Sequence, residues 1–118
     1  MAKKEECVFC KMVNKEIPME IIYENNSFFS ILDAQQKVEG HSLVISKKHF
    51  EDTLGIPPKL GADLLDCIQR TAMKVIEVQG SEGFNLVSNN GAVAGQVVMH
   101  AHYHILPRKK GDKVPHAY

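Results

Sequence analysis

Three histidines at alternate positions, His100, His102 and His104, constrain this chain more than any other feature. They lie in a β-prone segment that runs from Val97 to Leu106 and meets Pro107. Successive side chains of a strand point to opposite faces, so the three imidazoles share one face, about 6.6 Å from one to the next. Ala101, Tyr103 and Ile105 take the other face, where they can pack on a core or a helix. Three protonated rings in one row would repel one another, so some stay neutral. A neutral imidazole is a nucleophile, a base or a metal ligand.

The rest of the chain supplies a small scaffold for that strand. At 118 residues it supports one domain with a modest core, taken here as 1–118 with flexible ends at 1–6 and 109–118. Val8 to Asn14 suits a short helix, stopped by Pro18. Ile21 to Tyr23 and Phe28 to Leu32 read as strands around a turn at Asn25 and Asn26, and Ser42 to Ile45 reads as a third. From Lys59 to Gln79, the residues Leu60, Leu64, Ile68, Ala72 and Val75 recur every three or four positions and mark the apolar face of one long helix, which Gly80 ends. Phe84 to Ser88 alternates as a strand before a loop at Asn89 to Gly95. The expected class is α+β: an antiparallel sheet of about five strands, one main helix and a short N-terminal helix.

Charge and cysteine usage narrow the function. Fourteen basic and fourteen acidic residues balance, which speaks against nucleic-acid binding through phosphate contacts but leaves room for a small anionic ligand. No apolar run could span a membrane, and Met1 to Glu6 shows no secretory pattern, so a cytoplasmic location is expected. Three cysteines do not make a disulfide framework. Cys7 and Cys10 are spaced for a metal or redox pair, or are simple buried thiols; Cys67, in the long helix, reads as a small core residue. The histidine strand has three readings of its own: a solvated face, a metal site, or nucleophilic catalysis. A metal site of the oxygenase kind normally takes a carboxylate a few residues downstream, and the only acid after His104 is Asp112, beyond Pro107.

His100-Ala-His102-Tyr-His104-Ile-Leu106 resembles the signature of the histidine triad (HIT) superfamily. The likeness extends in the same order to Cys7-Val-Phe-Cys10, Ile31-Leu-Asp33, Gly40 to His49, Asn89 to Gly91, Gly95 to His100 and Arg108 to Asp112. It is closest to the bacterial and Hint-like branch. The resemblance implies a nucleotide hydrolase or transferase that attacks the α-phosphorus of purine nucleotide conjugates and releases a nucleoside monophosphate. Its lead activity would be phosphoramidase-like; the alternatives are a dinucleoside polyphosphate hydrolase or a nucleotide-binding interaction protein with low turnover.

The same resemblance implies roles for individual residues. His102 would be the nucleophile and form a covalent nucleotidyl-imidazole, with His104 on the phosphate and His100 and His41 completing the catalytic set. Asp33 would bind the ribose hydroxyls, although an Asp after a strand also caps turns. Asn89, Gly95 and Gln96 would meet the nucleotide near its phosphate. Cys7, Cys10, His49 and His100 would hold a structural Zn²⁺. A homodimer is the implied assembly. Val97 departs from the pattern: many Hint-type members carry a hydroxyl there that can donate to the leaving group, and Val cannot.

Overall fold

The computed structural model describes residues 7–114. The expectations for the ends at 1–6 and 115–118 lie outside the described residues. A short helix α1 (Val8–Val13) comes first, followed by strands β1 (Tyr23–Glu24), β2 (Phe28–Leu32) and β3 (Ser42–Ser46). The long helix α2 (Gly61–Gln79) leads to β4 (Gly83–Val87) and β5 (His102–Arg108). The five strands form one sheet in the order β1-β2-β3-β5-β4, with every neighbouring pair antiparallel. The α+β class and element inventory therefore stand as read from the sequence.

The boundaries carry physical information. Helix α1 ends at Asn14, and Lys15 adopts a left-handed φ of 62°, so the chain turns before it reaches Pro18. Pro57 and Pro58 precede the long helix; the first turn, Pro58–Leu60, is 3-10, so the α-helix begins at Gly61 and not at Lys59. Gly80 closes it in the left-handed conformation, with N–H groups bonded back to Glu77 and Ile76. Strand β1 is shorter than expected and shifted to Tyr23–Glu24.

The largest revision concerns β5. It begins at His102, not Val97, and it runs through Pro107 to Arg108. Proline is tolerated there because β3 ends its ladder with β5 at the Ser42–Ile105 pair, which leaves only β4 alongside Pro107. Gly40 packs into the same corner: a Cβ on it would stand 2.8 Å from Gln79 Cγ and 3.1 Å from Pro107 Cγ, and its φ is 91°. Glycine thus fits both the backbone and the space just before His41.

Two apolar clusters cover the two faces of the sheet. On one, Phe28, Val44, Tyr103 and Ile105 pack against Cys67, Ile68, Ala72 and Val75 of α2. Leu60 and Leu64 join that cluster part-buried, so the apolar stripe and the core placement of Cys67 both hold. On the other, Phe29, Ile31, Leu43 and Ile45 pack against Cys7, Phe9 and Cys10 from α1 and its cap. Tyr103 and Ile105 take the helix side as expected, which turns His102 and His104 toward α1. After β5 the chain is tied down by Arg108, whose guanidinium pairs with Asp112 and donates to the Val114 carbonyl. Among the described residues no helix is long and apolar enough to cross a membrane.

Candidate active site and metal centre

A pocket of about 460 Å³ opens on the α1 side of the sheet. Val8, Phe9, Met12, Ile31 and Leu43 give it an apolar wall, and Asp33, Asn89, His102 and His104 give it polar groups. An apolar wall with a few convergent polar groups is the ordinary character of a small-molecule site.

The hydrogen bonds assign the histidine tautomers. His102 Nδ1 lies 2.7 Å from the His100 carbonyl oxygen, which can only accept. Nδ1 therefore carries the proton and Nε2 carries the lone pair. Burial lowers the pKa of His102 below its ordinary value, so the ring is neutral at pH 7. A second chain of bonds fixes His104. The Lys37 backbone N–H donates to His41 Nδ1 over 3.1 Å, so His41 is protonated on Nε2. That N–H reaches His104 Nδ1 at 2.9 Å, which leaves the proton of His104 on its Nε2. Burial holds His104 down at about 4 and also lowers His41. The site thus pairs a neutral lone-pair nitrogen on His102 with an N–H donor on His104, the two rings 5.2 Å apart between centroids.

Asp33 joins this pair from the loop after β2. Its Oδ2 lies 3.4 Å from His41 Nε2 and 3.9 Å from His104 Nδ1. Its Oδ1 accepts from the Gln35 backbone N–H at 2.8 Å, so Asp33 caps a turn and also lines the pocket. The carboxylate beside the histidines therefore comes from upstream; a search of the sequence after His104 could not find it. Asn89 and Gly95 line the pocket and lie side by side, with the position of a Gly95 Cβ 3.5 Å from Asn89 Nδ2. Gln96 lines it too, but its amide is committed: Oε1 accepts from the Gly91 N–H, and Nε2 donates to the Glu51 and Val98 carbonyls. This side chain holds the loop closed. Val97 is 89% exposed at the rim.

His100 stands apart from the other two. It precedes β5, and it does not line the pocket. Its Nε2 lies 2.7 Å from the Ser46 carbonyl, which puts the proton there and directs the Nδ1 lone pair elsewhere. That lone pair lies 3.3 Å from Cys7 Sγ, 3.5 Å from Cys10 Sγ and 3.2 Å from His49 Nδ1, and Cys10 Sγ lies 3.1 Å from His49 Nδ1. The four ligand atoms lie within 4.8 Å of one another. A tetrahedron with Zn–S of about 2.3 Å and Zn–N of about 2.0–2.1 Å has edges of roughly 3.3–3.8 Å, and these four separations fall close to that range. Burial holds His100 near 4, in the neutral form that a ligand requires. The donor set fits a closed tetrahedral metal site of two thiolates and two imidazoles.

Sequence reasoning missed the apolar wall. Val8 and Phe9 lie between and beside the two cysteines, and their nearness to a proposed metal ligand was the signal available. Phe9 stands edge-on to both His100 and His102, with centroids 5.6 Å and 5.1 Å apart.

Comparison with known proteins finds a family and relatives for the chain. The model of the HIT domain matches residues 14–111. The adenylylsulfatase HINT3 of Arabidopsis thaliana is 39% identical over 92% of this chain, which spans 55% of that protein. The adenosine 5'-monophosphoramidase HNT1 of Candida albicans is 36% identical, over 92% of this chain and 74% of its own length. A zinc-bound histidine triad protein of Mycobacterium smegmatis superposes with a TM-score of 0.88 at 37% identity, covering 98% of this chain and 84% of that one.

Proposed function

The chain belongs to the HIT family, and from that membership we propose that it attacks the α-phosphorus of purine nucleotide conjugates through a covalent nucleotidyl intermediate on His102. The observation that carries the reading is the His102–His100 carbonyl bond, which leaves the Nε2 lone pair of a neutral ring at the pocket. In the first step Nε2 forms a bond to phosphorus. The bond to the leaving group breaks, and the leaving group departs with the electron pair. His104 donates its N–H to a non-bridging oxygen as charge builds there. Water then attacks phosphorus and gives up a proton to solvent, which balances the one the departed leaving group takes up; the phosphorus–nitrogen bond breaks, and the pair returns to Nε2 as nucleoside monophosphate is released. Splitting one displacement into two lowers each barrier.

Asp33 would accept from the ribose hydroxyls, with the base against Phe9, Ile31 and Leu43. Asn89 and the Gly95–Gln96 loop would border the phosphate. His41 would hold His104 in its donating tautomer. Zinc would occupy Cys7, Cys10, His49 and His100; with four protein ligands it would act as a structural clamp and leave no open position for chemistry. Phosphoramidates are the lead substrates, as for the relative from C. albicans, and dinucleoside polyphosphates are the alternative. A cytoplasmic location belongs to the same proposal, since thiolate ligands persist in a reducing compartment.

A homodimer completes the reading. Strand β4 is a sheet edge, and its Phe84 and Leu86 are exposed on the side shared with Ile105 and α2. A second copy of this chain would cover them.

The test is turnover of adenosine phosphoramidate, a diadenosine polyphosphate and an adenylyl sulfate by the wild type and by His102→Ala. The expected result is release of AMP from at least one substrate by the wild type, with a loss of about 10⁴-fold or more in the variant. Unchanged turnover in His102→Ala would remove the catalytic assignment.

A further inference from the structure

We propose that Phe9 is a positioning residue for the nucleophile, and that the Cys7/Cys10/His49/His100 clamp sets the orientation of the His102 ring through it. The proposal rests on the assignment of His102 as nucleophile. Two observations support it. Phe9 lies between the two thiol ligands, is buried, and presses its ring on His102 at 5.1 Å and 70° and on His100 at 5.6 Å and 89°. The other hold on His102 adjoins the clamp: the acceptor for its Nδ1 proton is the carbonyl of His100, in a peptide unit whose Ala101 N–H donates to the Phe50 carbonyl at 2.7 Å, while the His100 ring lies between Ser46 O and the thiols.

His102 thus has the Phe9 contact, the bond to the His100 carbonyl and a ring contact with His104 at 5.2 Å, and of these the Phe9 contact is the one that comes from the segment between the two thiols. His104 is located by a separate chain through His41 and the Lys37 backbone. Release of the clamp therefore loosens the Phe9 contact on His102, while the chain through His41 still holds His104. Fixing χ1 and χ2 of a nucleophile is worth much in rate, because an ångström of misplacement costs about a hundredfold. Phe9 also lines the pocket, so a fall in nucleotide affinity alone does not test this idea.

The readout is imidazole ¹⁵N NMR of the zinc-loaded protein without nucleotide, comparing wild type, Phe9→Leu and Cys10→Ala. The expected wild-type spectrum shows His102 as a single Nδ1-protonated tautomer and His104 as the opposite one. In Phe9→Leu the His102 resonances move toward a tautomer average while those of His104 stay, with zinc content unchanged. Adduct formation at His102 slows by about tenfold to a hundredfold. Cys10→Ala gives the same His102 change with zinc lost; if that variant does not fold, Phe9→Leu alone decides. A His102 tautomer in Phe9→Leu identical to that of the wild type, with an unchanged rate of adduct formation, overturns the proposal. Absence of any adduct in the wild type defeats the nucleophile assignment instead, and the NMR comparison still reports on positioning.

Discussion

At the scale of single residues, the leaving-group side of the pocket is the least equipped. Val97 offers only methyl groups at the rim, and the neighbouring Gln96 amide is spent on the backbone. An amine leaving group needs a proton or a hydrogen bond, and a hydroxyl at position 97 would supply one. Val97→Ser is therefore expected to raise kcat on adenosine phosphoramidate by a few-fold to about tenfold, read by steady-state AMP release. An unchanged kcat would mean that this position does not meet the leaving group. The residue-level roles of His41, Asp33 and Gln96 differ in how visible they were beforehand. Motif likeness pointed to all three. The turn cap of Asp33 onto Gln35 is local, but that Gln96 ties a loop and that Asp33 faces His104 depend on contacts between residues distant in sequence, such as Gln96 to Glu51.

At the scale of elements, β3 and β5 bring His41 and His104 into contact behind the pocket. Leu43 and His104 are register partners, and His41 precedes β3 by one residue. Both rings are buried and neutral, which ties stability to pH. In the folded state the pKa of His104 falls from 6.5 to about 4, so between those values the unfolded chain binds more protons. Its contribution is complete above about pH 6.5 and is lost as pH falls through about 4. The lowered pKa of His41 acts in the same direction. Urea denaturation is expected to show a stability loss of about 3 kcal/mol from His104 between pH 7 and pH 4, smaller in His104→Gln. A flat profile over that window, or no difference in the variant, would contradict the buried neutral pair.

The elements also show what a pattern in sequence can and cannot reveal. The stripe from Leu60 to Val75 was legible because one helix carries it whole. Strand β5 was misplaced at both ends. Val97 to Ala101 are β-prone, but Gln96 and the His100 ring bond them into a loop, and Pro107 is admitted only because β3 has already ended.

At the scale of the molecule, a small helix is fastened to a five-stranded sheet by side chains drawn from Cys7 to His100, 93 residues apart. Helix α1 has six residues, too few to stand without support. Zinc is expected at about one per chain by metal analysis, and its removal by chelation is expected to lower Tm by several degrees and expose both thiols to modification, with the sheet retained. A folded, metal-free protein with an unchanged Tm would contradict the clamp. The wall that α1 builds and the nucleophile it faces meet in one claim, which is that His102 carries the nucleotide between two half-reactions. Mass spectrometry of protein mixed with an adenosine phosphate conjugate and quenched in alkaline denaturant, where a phosphorus–nitrogen bond survives, tests it directly. The expected result is one adenylyl group per chain, mapped to His102 and absent from His102→Ala. Turnover with no adduct, or an adduct on any other residue, would contradict it.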